Sequence, residues 1–199
     1  TICNLIKFEN IDLVKEKYKS GKGLILMTAH FANWEWMALS MGLQLNIPIN
    51  VIVKNQQNSL VNSWLNNART KWNNKIIPLG ASIKNVFVQL KKGNIVAMVA
   101  DQRGPKDGNR VNFFNIPTCV FDGPAVLALR TNAPLLIGFA VRQKDFSYKV
   151  KMYEINLDNL PENDEEKIRE INQRHMNKLE EYISNYPEQW LWMHKIWKY

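Results

Sequence analysis

An α/β fold, a single domain with a mostly parallel buried sheet flanked by helices, is predicted by three observations on these 199 residues. Short continuous apolar runs recur along the chain, as strands buried on both faces require. Stretches with helical caps and no internal Pro alternate with those runs. A hydrophobic content of 46%, with no linker, low-complexity tract or internal repeat, supports one sizeable core over residues 1–199.

The first strong element is the run Leu24-Ile25-Leu26-Met27-Thr28-Ala29 after Gly23, a strand buried on both faces. Residues 33–45 follow as a helix with Asn33 as its N-cap. Residues 50–53 read as a strand, 57–72 as a helix and 75–78 as a strand. Ser82 caps an amphipathic helix that ends at Lys91-Lys92-Gly93, where cations and Gly suit a helix C-terminus. The apolar strand 95–100 delivers the chain to Asp101, and residues 104–118 read as a loop carrying Lys106, Arg110 and Phe113-Phe114. Asp122-Gly123-Pro124 opens a helix running through Arg130. Residues 134–141 and 148–155 form a hairpin across Gln143-Lys144-Asp145. Residues 164–185 are a charged helix with a buried stripe of Ile168, Ile171, Leu179 and Ile183. The Trp-rich segment 190–198 suits the membrane interface, where Trp and Lys are favoured, but clustered Trp and Leu after a helix suit packing on the core better.

Chemistry concentrates at His30-Phe31-Ala32-Asn33-Trp34-Glu35. Five positions apart on one helix, His30 and Glu35 would diverge, but a loop residue and a first-turn residue can converge. At the junction of strand and helix they suit a general base and its orienting acid, and no nucleophilic Ser or Cys lies beside them. The same spacing also fits a histidine held at a strand end for structure alone. Asp101 occupies an equivalent strand end, which suits either a second site residue or a cap for the turn before Gly104-Pro105.

A net charge of +8 calls for an acidic partner, yet the Lys and Arg residues are dispersed and no nucleic-acid-binding signature accompanies them. Cys3 and Cys119 make no disulfide framework, and His30, His175 and His194 show no metal-ligand spacing, so no metal and a reducing compartment are expected. No run is long enough to span a bilayer, and no signal-peptide pattern opens the chain.

Four landmarks in order give the chain a resemblance to the bacterial lipid A biosynthesis (lauroyl and myristoyl) acyltransferases within the lysophospholipid acyltransferase group. They are Gly23-Leu24-Ile25-Leu26 leading into His30-Phe31-x-Asn33-Trp34-Glu35, then Asp101-Gln102-Arg103-Gly104-Pro105, Gly123-Pro124-Ala125, and Pro187-Glu188-Gln189-Trp190-Leu191-Trp192-Met193-His194. The resemblance implies a glycerol-3-phosphate acyltransferase-like fold and a catalytic dyad of His30 and Glu35. Arg69 is the positional match to a site arginine, Lys54 stands where the family commonly has another, and Asp101 and Arg103 fall on a loop near the site.

It further implies transfer of an acyl group from an acyl carrier protein or coenzyme A thioester to a hydroxyl of a lipid A precursor or related anionic glycolipid. No acyl-enzyme and no cofactor are expected. Such proteins work at a membrane surface, on the cytoplasmic face of the bacterial inner membrane, and usually carry an N-terminal anchor ahead of the segment where this chain starts. A lipid ester hydrolase using the same residues on water, and a non-catalytic lipid-binding module, are the alternatives from other classes.

Overall fold

The computed structural model describes residues 2–80 and 83–198. In chain order the elements are α1 (Ile2–Leu5), β1 (Ile6–Phe8), α2 (Ile11–Lys19), β2 (Leu24–Thr28), α3 (Trp34–Leu45), β3 (Ile49–Val53), α4 (Ser59–Thr70) and β4 (Lys75–Pro78). There follow α5 (Ile83–Lys91), β5 (Ile95–Val99), β6 (Arg110–Phe113), β7 (Ile116–Cys119), α6 (Gly123–Thr131), β8 (Leu135–Arg142), β9 (Tyr148–Glu154) and α7 (Asp164–Asn185). A 3-10 turn at Pro187–Gln189 leads into the C-terminal tail.

Seven strands make one sheet in the order β1-β9-β8-β2-β5-β3-β4. β8, β2, β5, β3 and β4 run parallel, whereas β9 is antiparallel to β8 and β1 parallel to β9. The predicted mostly parallel α/β sheet is therefore what forms. One face packs Leu24, Leu26, Ile49 and Ile95 against Met37 and Met41 of α3, while the other packs Ile25, Met27 and Val96 among Val86 and Leu90 of α5, Leu127 of α6 and Leu179 of α7. Alternation along single strands feeds both faces, which explains the unbroken apolar runs.

Register is what positions the site. Thr28 on β2 pairs with Val99 on β5, and Ala100 N–H extends the ladder to the Thr28 carbonyl at 2.9 Å. His30 and Asp101 therefore leave the carboxyl edge of adjacent strands at the same level. The chain then departs in opposite directions: β2 feeds α3 on one face, and β5 feeds the hairpin β6–β7 and α6 on the other. Such a divergence opens a crevice at the carboxyl edge of the sheet.

Asn74, at the amino edge of the sheet, clamps α3 onto the strands, accepting from Ile49 N–H at 3.2 Å and donating to the Ala38 carbonyl at 3.2 Å. Gly42 lets the helix approach this closely, because a Cβ there would collide with the Asn74 amide.

Two parts of the chain differ from the sequence reading. Residues 104–118 are not all loop: β6 and β7 pair antiparallel about a turn whose Phe114 and Asn115 have φ of 52° and 60°. A Phe in the left-handed region is poor turn chemistry, so the sequence carries no Asn-Gly or Asp-Gly signal; Val111 and Phe113 are nevertheless buried while Arg110 and Asn112 face out. The first 22 residues, which carried no prediction, supply α1, β1 and α2, with β1 too short to show a period. Ser82, the predicted cap of α5, lies outside the described residues.

Candidate active site

The turn from β2 into α3 is unusual. Phe31 N–H bonds back to the Ala29 carbonyl at 2.7 Å, and Ala32 sits at φ 45°. A left-handed alanine costs about 1–2 kcal/mol. Burial of Phe31 and two hydrogen bonds from the C-terminal tail offset that cost. Ala32 N–H donates to the Gln189 carbonyl at 2.7 Å, and Leu191 N–H donates to the His30 carbonyl at 3.0 Å. The tail thus adds a short antiparallel bridge, Phe31 to Trp190, along the edge of the His30 turn.

His30 is held by Asp101. Its Nδ1 lies 2.7 Å from Asp101 Oδ1, and its backbone N–H donates to Oδ2 at 2.9 Å. The indole Nε1–H of Trp190 donates to the same Oδ2 at 2.9 Å. Asp101 is buried, and three donors compensate a carboxylate that would otherwise be expensive to remove from water. With a carboxylate on Nδ1, the neutral ring carries its proton there and keeps the Nε2 lone pair as base. Trp34 packs edge-on against the imidazole, ring centroids 4.8 Å apart.

Glu35 lies in the first turn of α3 and is gripped by Arg69 from the last turn of α4. Arg69 Nε donates to both carboxylate oxygens, at 3.2 and 3.0 Å, and Nη2 bonds Oε1 as well. Both side chains are largely covered, and Nη1 of Arg69 is buried without a partner among the described residues. The carboxylate predicted to orient His30 is thus joined to the arginine that matches the family's site arginine; among the described residues, the hydrogen bonds of Glu35 run to Arg69.

These groups share one cavity of about 380 Å³. His30, Trp34, Glu35, Arg69 and Lys54 line its mouth, with Gln56 and Gln102. Deeper in, the walls are Met37, Met41, Ile49, Val51, Ala97 and Met152, so the slot runs beneath α3 along β3 from its carboxyl end to its start. A five-residue strand makes that run about 13 Å. Polar groups at the mouth and an apolar interior suit an amphipathic ligand.

Arg103 falls elsewhere. Its Nη1 donates to the Lys195 carbonyl at 2.7 Å and its N–H to His194 Nε2 at 2.8 Å, so it fastens the C-terminal tail. His194 has its pKa lowered, chiefly by burial, against the pull of the Asp101 carboxylate and with a smaller push from the Arg103 charge. Sequence reasoning placed the tail near the site but not Trp190 on Asp101. The signal available was the pairing of a Trp in a buried terminal segment with an Asp at a strand end. Among the described residues, no cluster of His, Cys, Asp and Glu could hold a metal, and no helix is long and apolar enough to cross a membrane.

Comparison with known proteins identifies the family. The family model for bacterial lipid A biosynthesis acyltransferases matches residues 1–199. The chain is 25% identical over 193 residues to a lipid A biosynthesis palmitoleoyltransferase of Escherichia coli (strain K12), and equally to a lipid A biosynthesis acyltransferase of Shigella flexneri. In each case 96% of this chain is covered, and the chain spans 60% of the length of the relative. With the model matching from end to end, the chain belongs to the bacterial lipid A biosynthesis acyltransferase family.

Proposed function

We propose that the protein transfers an acyl group from a thioester, carried by acyl carrier protein or coenzyme A, to a hydroxyl of a lipid A precursor or related anionic glycolipid. The observation that carries this reading is a carboxylate-held imidazole, His30 on Asp101, at the mouth of an apolar slot. Membership of the family supports the reaction class and the acceptor.

In the proposed reaction the acyl chain lies in the slot under α3, with its thioester carbonyl near His30. Nε2 of His30 removes the proton from the acceptor hydroxyl, and the oxygen attacks the carbonyl carbon. Asp101 fixes the tautomer and stabilises the imidazolium that results. The tetrahedral oxyanion is met by the N-terminal end of α3 through the N–H groups of Trp34 and Glu35, since that of Trp36 is taken by the Asn33 cap. Collapse breaks the C–S bond, and the departing thiolate takes the proton back from Nε2. No acyl-enzyme forms.

Glu35 takes a different role in this account from the one the motif implies. Held by the guanidinium, it presents acceptor oxygens to the glycolipid sugar at the cavity mouth. Lys54, exposed beside it, supplies a cation for a phosphate of the acceptor. The charge of Arg69 is largely answered by Glu35, so Arg69 serves first to position that carboxylate.

The test is a transfer assay on the purified full-length protein in detergent, offering both thioester donors against a panel of glycolipids, with His30→Ala in parallel. Acceptor-dependent product that falls about a hundredfold or more in His30→Ala is expected. Release of free fatty acid independent of acceptor, or unchanged turnover in folded His30→Ala, would overturn the reading.

A further inference from the structure

The Pro187-Glu188-Gln189 landmark does more than lead into the tail. The side-chain amide of Gln189 pairs with the backbone of Arg142, at the end of β8, as a neighbouring strand would. Arg142 N–H donates to Gln189 Oε1 at 2.8 Å, and Gln189 Nε2 donates to the Arg142 carbonyl at 3.2 Å. The backbone carbonyl of the same Gln189 accepts from Ala32 N–H at 2.7 Å. One residue therefore fixes Arg142 relative to the His30 turn.

Register says where this puts the arginine. β8 lies beside β2 with Ile137 opposite Met27, so position 140 stands level with His30 and Arg142 about 7 Å further out. Leu136 and Ala140 pack with Met37 and Met41 of α3, and alternation sends Arg142 to the same face of the sheet. Its cross-strand partner Tyr148 meets Trp36, from the first turn of α3, with ring centroids 6.2 Å apart. Trp36 is nevertheless 40% exposed. An indole, a phenol ring and a guanidinium thus gather beside the His30 turn, across β2 from Lys54 at the end of β3.

An exposed arginine at a strand end ordinarily keeps its conformational freedom in water. Here the backbone is locked, and among the described residues the guanidinium makes no hydrogen bond or ion pair. Acids on the two adjoining segments are engaged elsewhere: Asp145 accepts from the Ser147 hydroxyl and N–H at 2.7 and 3.1 Å, and Glu188 accepts from Gln189 Nε2 at 3.2 Å. A guanidinium held in place with its N–H donors free suits the oxygens of a phosphate or carboxylate. The indole beside it suits the apolar face of a sugar ring.

We propose that Arg142 and Trp36 form an acceptor subsite on the side of His30 away from Lys54, Arg142 binding an anionic group of the glycolipid and Trp36 stacking on its sugar. The proposal rests on the reading that the acceptor is an anionic glycolipid. Both residues act in binding and neither in proton transfer.

The experiment uses the full-length protein in detergent with a phosphorylated glycolipid acceptor and the same lipid after phosphatase treatment. Arg142→Gln should raise the KM of the phosphorylated acceptor about tenfold, with kcat within about twofold and the urea midpoint unchanged, and should leave kinetics on the treated acceptor as in wild type. Arg142→Lys should recover part of the loss. Trp36→Ala should raise KM for both acceptors, since the sugar is common to them. An equal change on both acceptors in Arg142→Gln, or a loss confined to kcat, overturns the anion assignment; an unchanged KM in folded Trp36→Ala overturns the sugar contact.

A second arm measures equilibrium binding of the phosphorylated lipid to His30→Ala protein with and without Arg142→Gln, and association of both proteins with phosphatidylglycerol vesicles that lack acceptor. Acceptor binding weaker by about tenfold, with vesicle association unaltered, is expected. An equal fall on the vesicles makes the guanidinium a contact for any lipid phosphate and overturns the proposal. Absence of transfer by wild type to either acceptor would sink the acyltransferase reading, and the binding arm then judges the subsite by itself.

Discussion

Trp190 Nε1 donates to Asp101 Oδ2 at 2.9 Å, tying a residue of the C-terminal tail to the carboxylate that holds His30. The tail is thereby part of the site's scaffold. It closes the back of Asp101, supports left-handed Ala32 through the Gln189 carbonyl, and bonds the His30 carbonyl through Leu191.

Trp190→Phe keeps the buried ring and removes this one donor. The Asp101 carboxylate then lacks one of its three partners in a buried setting, which should cost about 1–3 kcal/mol of stability. Turnover should fall about tenfold at unchanged acceptor KM, because the imidazole is held less firmly. Urea unfolding and steady-state kinetics on one preparation check both halves.

Arg69→Ala strands Glu35 at the cavity mouth without its guanidinium. The acceptor KM should rise about tenfold, with a smaller fall in kcat, and Arg69→Lys should recover only part, since an ammonium cannot reproduce the two-pronged grip. A pure kcat defect would instead assign Arg69 to the oxyanion.

Ala97 lines the slot on β5, an interior strand of the sheet. Ala97→Leu should fill part of it and move donor preference toward shorter acyl chains, by about tenfold in relative kcat/KM between a long and a short donor. A competition assay with mixed thioesters reads this directly.

His175 on α7 is buried beside the Asp101 turn, and among the described residues neither ring nitrogen has a well-formed hydrogen bond. Burial pushes its pKa from 6.5 down to about 4, with the Ala100 backbone and the Asp101 charge pulling weakly upward. Below pH 6.5 the unfolded chain binds a proton that the folded chain refuses until about pH 4. Stability therefore falls as pH drops through that window, by at most about 3 kcal/mol from this group. The stability difference between wild type and His175→Leu should shift toward the variant by that amount between pH 7 and pH 4, and a difference flat with pH would contradict the assignment.

The sequence made the parallel sheet legible because buried strands such as residues 24–28 and 95–99 are unbroken apolar runs, and because Asn33 and Pro124 mark helix starts. It left β6 and β7 hidden, since their turn uses Phe114 and Asn115 rather than glycine. Pairings in the site were harder to read than its membership. His30, Glu35, Arg69 and Lys54 all border one cavity, yet which carboxylate meets the imidazole depends on the level at which β2 and β5 end. That level is a register of two strands 71 residues apart, and local spacing within His30–Glu35 carries no information about it.

The central claim is that Asp101, and not Glu35, holds the imidazole that we propose as the base. The most direct test is kcat at saturating donor and acceptor for Asp101→Asn, Glu35→Gln and His30→Ala. An asparagine can donate to Nδ1 and turn the ring to the wrong tautomer, so Asp101→Asn should lose about a thousandfold and approach His30→Ala, while Glu35→Gln keeps kcat within about tenfold and shows its defect in acceptor KM. A Glu35→Gln enzyme as dead as His30→Ala, beside an Asp101→Asn enzyme that turns over normally, would contradict the account.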